Sequence, residues 1–126
     1  MKLVKSPTIW LDAPEKHDYP AAEDYLSLLY PDDVVYNIQF KLLNSAKSFK
    51  KAKDIVRASN VSLLGVSNGH VKKNLKKVKR GEKLSPILLV VDTKHNKLVI
   101  ADGYHRLCAA YRLSEDTLIP CIIATI

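Results

Sequence analysis

A chain of 126 residues with 47% hydrophobic residues, four Gly and six Pro has the length of one domain and the composition of a globular fold, which excludes collagen-like and low-complexity chains. No apolar run reaches the roughly 18 residues of a spanning helix, and the first residues lack the apolar segment of a signal peptide, so a cytoplasmic protein with no membrane partner is expected. The formal charge of +7 is concentrated: residues 1–40 hold three Lys against seven Asp and Glu (−4), residues 41–83 hold 13 Lys and Arg against Asp54 and Glu82 (+11), and residues 84–126 balance at four and four.

Such a basic centre steers anionic partners without identifying them. Residues 2–5 fit a short strand. Residues 12–20, with Pro14 and Pro20, read as loop. Residues 21–30 have the period of a short helix, with Ala22, Tyr25, Leu26 and Leu29 on one face and Pro31 as its stop. Asp32 is placed to cap a second helix running to about residue 43, striped by Val35, Ile38 and Leu42. Residues 45–59 read as a third helix, with Phe49, Ala52, Ile55 and Val56 on one side and Lys47, Lys50, Lys51 and Lys53 outward.

Residues 60–68 are a turn-rich link. Residues 70–80 form a basic helix in which Val71, Leu75 and Val78 are the apolar positions among Lys72, Lys73, Lys76, Lys77 and Lys79, and Gly81 ends it. Residues 86–91, Pro-Ile-Leu-Leu-Val-Val, are a central strand. Residues 92–97 connect it, hairpin-like, to a strand over 98–101. Gly103 turns the chain into a helix over 104–112, and residues 120–126 form the last strand. The expected fold is α+β: a small mixed β-sheet flanked by helices, with a helical N-terminal extension (residues 1–45) packed on a domain of residues 46–126. Cys108 and Cys121 lack C-x-x-C or zinc-ligand spacing and read as buried thiols. Trp10, Tyr19, Tyr25 and Tyr30 read as core or interface aromatics.

The chemistry concentrates in Asp102-Gly103-Tyr104-His105-Arg106, between strand and helix. A glycine turn lets backbone N–H groups approach an anion, and the helix that follows points its positive end at the same place. His105 and Arg106 add a titratable group and a guanidinium fork. The other reading is an ordinary strand–helix turn with a surface pair. Asp102 can cap the helix, hold Mg²⁺ beside phosphates or orient His105. His105 can be a general base, and more readily a donor to phosphate. On this reading Arg106→Ala strongly weakens nucleotide binding and leaves the fold intact. The run Lys72, Lys73, Lys76, Lys77 is either a solvated helix face or a contact to nucleic-acid phosphates. His70 either faces the site or caps its helix, and Glu82 and Lys83 are further candidates near the nucleotide. The sequence clusters no carboxylates for a two-metal nuclease.

With these motifs the chain resembles the ParB/sulfiredoxin superfamily in its N-terminal, nucleotide-binding domain (the ParB-like nuclease domain). The similar segment covers roughly residues 54–122. Its marks are Asp54-Ile-Val-Arg-Ala-Ser59, Gly81-Glu-Lys-Leu-Ser-Pro-Ile-Leu-Leu-Val90, Ile100-Ala-Asp-Gly-Tyr-His-Arg-Leu-Cys-Ala-Ala110 and Ile119-Pro-Cys-Ile122. The resemblance implies a site for ATP or another nucleotide, with Mg²⁺ as an accompanying ion. Gly103 matches the turn glycine, His105 and Arg106 the phosphate-contacting pair, and Asp102 the acid that precedes the glycine in the kinase-like branch. Tyr104 stands where sulfiredoxins place their nucleophilic cysteine. Tyr-His-Arg also replaces the Glu-Arg-Arg of the partition proteins, so the kinase-like branch matches best. The implied activity is ATP-dependent phosphoryl transfer or nucleotide hydrolysis, with Asp102 and His105 as the catalytic pair. The alternative is a non-enzymatic DNA-binding or protein-interaction module built on basic helices over 47–57 and 70–80.

Overall fold

The computed structural model describes residues 9–126, so the strand expected over residues 2–5 lies outside the described residues. Two helices come first, α1 (Asp18–Leu26) and α2 (Asp32–Asn44). Strand β1 (Lys47–Lys51) runs directly into α3 (Ala52–Ser59), and α4 (Gly69–Lys79) follows a loop. The hairpin β2 (Ile87–Asp92) and β3 (Lys97–Asp102) leads to α5 (Tyr104–Leu113) and β4 (Leu118–Thr125).

The four strands form one mixed sheet in the order β1-β4-β2-β3. β2 and β4 run parallel, whereas β1 with β4 and β2 with β3 are antiparallel. Both faces of this sheet are covered. Leu88 and Val90 of β2 join Val99, Ala101, Ile122 and Ala124 in a core closed by α1 and α2. Ile87 and Leu89 point the other way, into a core with Ile55 of α3, Leu107 and Ala110 of α5, Ile119 and Cys121. Burial on both faces explains why residues 87–90 are continuously apolar rather than alternating. The protein is thus a small α+β domain, with a four-stranded mixed sheet between helical layers. Its first two helices supply one of those layers.

Three expectations change. Residues 45–59 are not one helix, because residues 47–51 are extended and pair antiparallel with β4, Phe49 opposite Pro120. The apparent helical stripe spans a strand–helix junction: Ala52 and Ile55 are buried, but Phe49 is 48% exposed. α1 begins at Asp18, inside the expected loop, because Pro20 falls in the first turn, where no intrahelical donor is required. Pro31 rather than Asp32 occupies the cap position of α2, and Asp32 and Asp33 instead place negative charge in its first turn. No helix among the described residues is long and apolar enough to cross a membrane.

Candidate functional site: a cationic cleft at the glycine turn

Gly103 joins β3 to α5 with φ +112°. A Cβ there would lie 2.7 Å from the Cβ of Ile87 and 3.1 Å from Nη2 of Arg106. Backbone conformation and close packing on β2 therefore both demand glycine. The turn leaves α5 without a side-chain cap. Asp102 is committed elsewhere, its Oδ2 accepting from Arg106 Nη2 at 3.1 Å. The same Nη2 donates to the carbonyl of Pro86 at 3.2 Å and lies 3.9 Å from Oδ2 of Asp18. Arg106 Nε is buried with no acceptor among the described residues.

Asp18 is the site residue that sequence reasoning missed. It is almost fully buried and accepts from the Glu15 N–H at 3.0 Å and from the hydroxyl of Ser85. No local pattern marks it, since only the packing of α1 against the sheet carries it to Arg106. Burial pushes the Asp102 carboxyl above the usual carboxylate range. The Arg106 guanidinium opposes that rise, and Asp18 adds to it.

α4 forms the facing wall. The Asn68 side chain caps this helix, accepting from the N–H groups of His70 and Val71 at 3.0 and 3.2 Å, so capping does not occupy the His70 side chain. Val71 is buried against Cys108 and Ala109 of α5, with Leu75 and Tyr104 packed beside them. That packing turns the neighbouring flank of α4, with His70, Lys73 and Lys77, toward the glycine turn. A cleft of about 380 Å³ results, lined also by His17, Asp102, Gly103, Tyr104, His105 and Arg106. The His70 and His105 rings are 4.6 Å apart. Burial, then the nearby His70, holds His105 below the ordinary imidazole range. The Tyr104 hydroxyl donates to the carbonyl of Ser62, and burial raises its pKa.

Of the four lysines singled out on this helix, Lys73 and Lys77 line the cleft, whereas Lys72 and Lys76 do not. Glu82 pairs with Arg80 at 2.9 Å, and Lys83 lines a separate small pocket beside Trp10, so neither lines the cleft. The basic segment 47–57 is a strand followed by a helix, and its lysines are partly engaged: Lys47 with Asp12 at 2.9 Å and Lys53 with Asp116 at 3.0 Å. It does not form the basic helix expected there. Cys108 and Cys121 are buried free thiols.

No protein-family model, curated protein or solved structure matches this chain. Chemically, the cleft gathers two ammonium groups, a guanidinium and three imidazoles at a helix N-terminus, a donor set complementary to phosphate oxygens. A divalent cation fits it less well. The described residues contain no group of three His, Cys, Asp or Glu side chains arranged to hold a metal, and Asp102 already serves Arg106.

Proposed function

We propose that the cleft between α4 and α5 binds the phosphates of a nucleotide, as the resemblance to ParB/sulfiredoxin domains implies. The observation that supports this is the convergence of Lys73 and Lys77 on the Gly103 turn, from a helix that the sequence leaves unattached to it. The amides of Tyr104 and His105 open the N-terminus of α5 toward an anion. His105 donates to a phosphate oxygen when protonated, and Lys73 and Lys77 neutralise the remaining charge. Asp102, which lines the cleft, positions Arg106 across the turn through Oδ2. Mg²⁺ enters this reading as an ion carried in on the nucleotide. ATP-dependent phosphoryl transfer and nucleotide hydrolysis are the reactions such a site serves.

Calorimetric titration with ATP, CTP, GTP and ADP, with and without Mg²⁺, tests the reading. Saturable binding of one nucleotide is expected, weakened about tenfold or more when Lys73 and Lys77 are both changed to Ala. No binding of any of the four, or undiminished binding by the double variant, overturns it.

The exposed flank of α4 favours a second reading, DNA contact through Lys72 and Lys76. The two readings separate by flank. Neutralising Lys72 and Lys76 lowers DNA affinity and flattens its salt dependence by about 0.9 in log–log slope for each DNA phosphate no longer neutralised. Nucleotide binding depends on Lys73 and Lys77 instead.

A further inference from the structure

The two edges of the sheet are β1 and β3, and they are guarded differently. β1 carries Lys47, Lys50 and Lys51, charged side chains of the kind that discourage pairing with another chain. β3 holds Leu98, Val99, Ile100 and Ala101 between Lys97 and Asp102, and no described strand pairs with its outer edge. That edge is recessed. It forms the floor of a groove of about 660 Å³ between Tyr25 of α1 and Leu29 in the turn after it on one wall and Val61 and Ser62, after α3, on the other. The groove follows β3 for its whole length and reaches the cationic cleft at Tyr104 and His105, which line both.

We propose that this groove binds an extended polypeptide segment of another protein, added as a strand to the outer edge of β3, which is unpaired among the described residues. The segment carries apolar side chains in its middle and acidic ones at its ends. A row of unpaired N–H and C=O groups is matched by extended backbone. Alternate side chains of an added strand point to opposite faces, here toward the α1 wall and the wall after α3, both partly apolar. The ends are set by charge. Lys97 has no ion-pair partner among the described residues, and the opposite end opens onto His105 and the lysines of α4. A second copy fits poorly: each recessed edge brings its own walls, which hold two β3 strands farther apart than the ~4.8 Å of a paired ladder. The inference rests on the edge of β3 and stands apart from the phosphate reading.

Fluorescence polarisation with labelled peptides of about seven residues, the span of a strand of this length, tests it. Their middles alternate Val and Thr, and their ends are Glu, Ser or Lys. The Glu-ended peptide should bind the full chain best. Methylating the alternate amide nitrogens that face β3 should weaken it about tenfold or more, because several backbone hydrogen bonds are removed together. Ala21→Trp, at an exposed position of the groove wall, should abolish binding with an unchanged circular dichroism spectrum, and Lys97→Glu should shift preference to the Lys-ended peptide. The Lys73→Ala/Lys77→Ala variant should bind the Ser-ended peptide as wild type does and lose only part of the preference for the Glu-ended one, so failure of the nucleotide reading and failure of this one are distinguishable. Binding to none of the peptides overturns the proposal, as does indifference to N-methylation. A dimer that Ala21→Trp converts to monomer overturns it in favour of self-pairing.

Discussion

The imidazole of His70, in the first turn of α4, lies 4.6 Å from that of His105, in the first turn of α5. Two rings from separate helices thus face one anion-complementary cleft, and burial with His70 nearby keeps His105 below its ordinary value. The lowered value favours the neutral ring in the free protein, whereas a bound anion favours the protonated form. Anion binding therefore takes up a proton at His105, and affinity for an anion whose own charge is constant should rise as pH falls toward the depressed value, then level off. Titrations with sulfate, which stays doubly charged over this range, at several pH values and in buffers of different ionisation enthalpy, measure that uptake directly. His105→Gln should flatten the profile. A profile that remains unchanged in this variant assigns the titrating group elsewhere.

Arg106 is held inside the fold rather than left open at the mouth of the turn. Its side chain is 17% exposed and stands between Asp102 and the buried Asp18. Arg106→Ala therefore leaves two carboxylates facing each other with no cation. The cost should be on the order of 3 kcal/mol of folding stability, since removing one partner strands the other. Asp102→Asn keeps an acceptor for Nη2 and should cost about 1 kcal/mol or less. The raised carboxyl of Asp102 also sets a sign: a folded-state value above the unfolded one makes its charge unfavourable at neutral pH, a penalty that fades as pH falls through the raised value. Urea denaturation of both variants at pH 7 decides the matter. Equal stability of Arg106→Ala and wild type would show that the guanidinium does not hold the acids apart.

Gly103→Ala should be still less tolerated. The added methyl meets Ile87 at the sheet and sits at φ +112°, two penalties of about 1–3 kcal/mol each. Ile87→Ala removes the Cγ2 contact but keeps the Cβ one and itself empties a fully buried position, at about 2–5 kcal/mol, so the double variant should lose less than the sum of the two single losses. Thermal unfolding of both single variants and the double variant measures that difference. Strict additivity would mean that backbone strain rather than the contact with Ile87 accounts for the Gly103→Ala loss.

These residues show how far local pattern reaches. The strand over 87–90, the glycine turn and the basic helix are legible because each is encoded by neighbours in sequence: an apolar run, a left-handed turn residue, a lysine-rich period. β1 is not, because Phe49, Ala52 and Ile55 keep a three-residue spacing across the point where extended chain becomes helix. Pairing with β4, some 70 residues away, overrides that spacing. Nor is Asp18 legible, or the division of Lys72, Lys73, Lys76 and Lys77 of α4 into a cleft-lining pair and an outward pair. Both depend on how helices seat on the sheet and on each other, through Ala22 and Leu26 in one case and Val71 against Cys108 in the other.

At the β2–β3 hairpin, Asp92 is 1% exposed and gathers three donors: the Tyr30 hydroxyl at 2.7 Å, the His95 ring nitrogen at 2.8 Å and the His95 N–H at 3.1 Å. The Tyr30 hydrogen bond, followed by those from His95, brings its carboxyl down to about 2 despite its burial, and the Tyr30 hydroxyl is pushed up to about 12. A folded-state value below the unfolded one stabilises the fold wherever the unfolded carboxylate is ionised. The contribution is complete above about pH 4 and disappears as pH falls through about 2. Asp92→Ala should therefore lower the melting temperature at pH 7, with Tyr30 and His95 losing their shared acceptor, and the gap from wild type should narrow between pH 4 and pH 2. Asp92→Asn restores an acceptor for the tyrosine but no charge, and should fall between them. Melting curves across this range test the cluster. A gap of constant size at every pH would indicate that lost packing, rather than the charged hydrogen bonds, dominates at this end of the sheet.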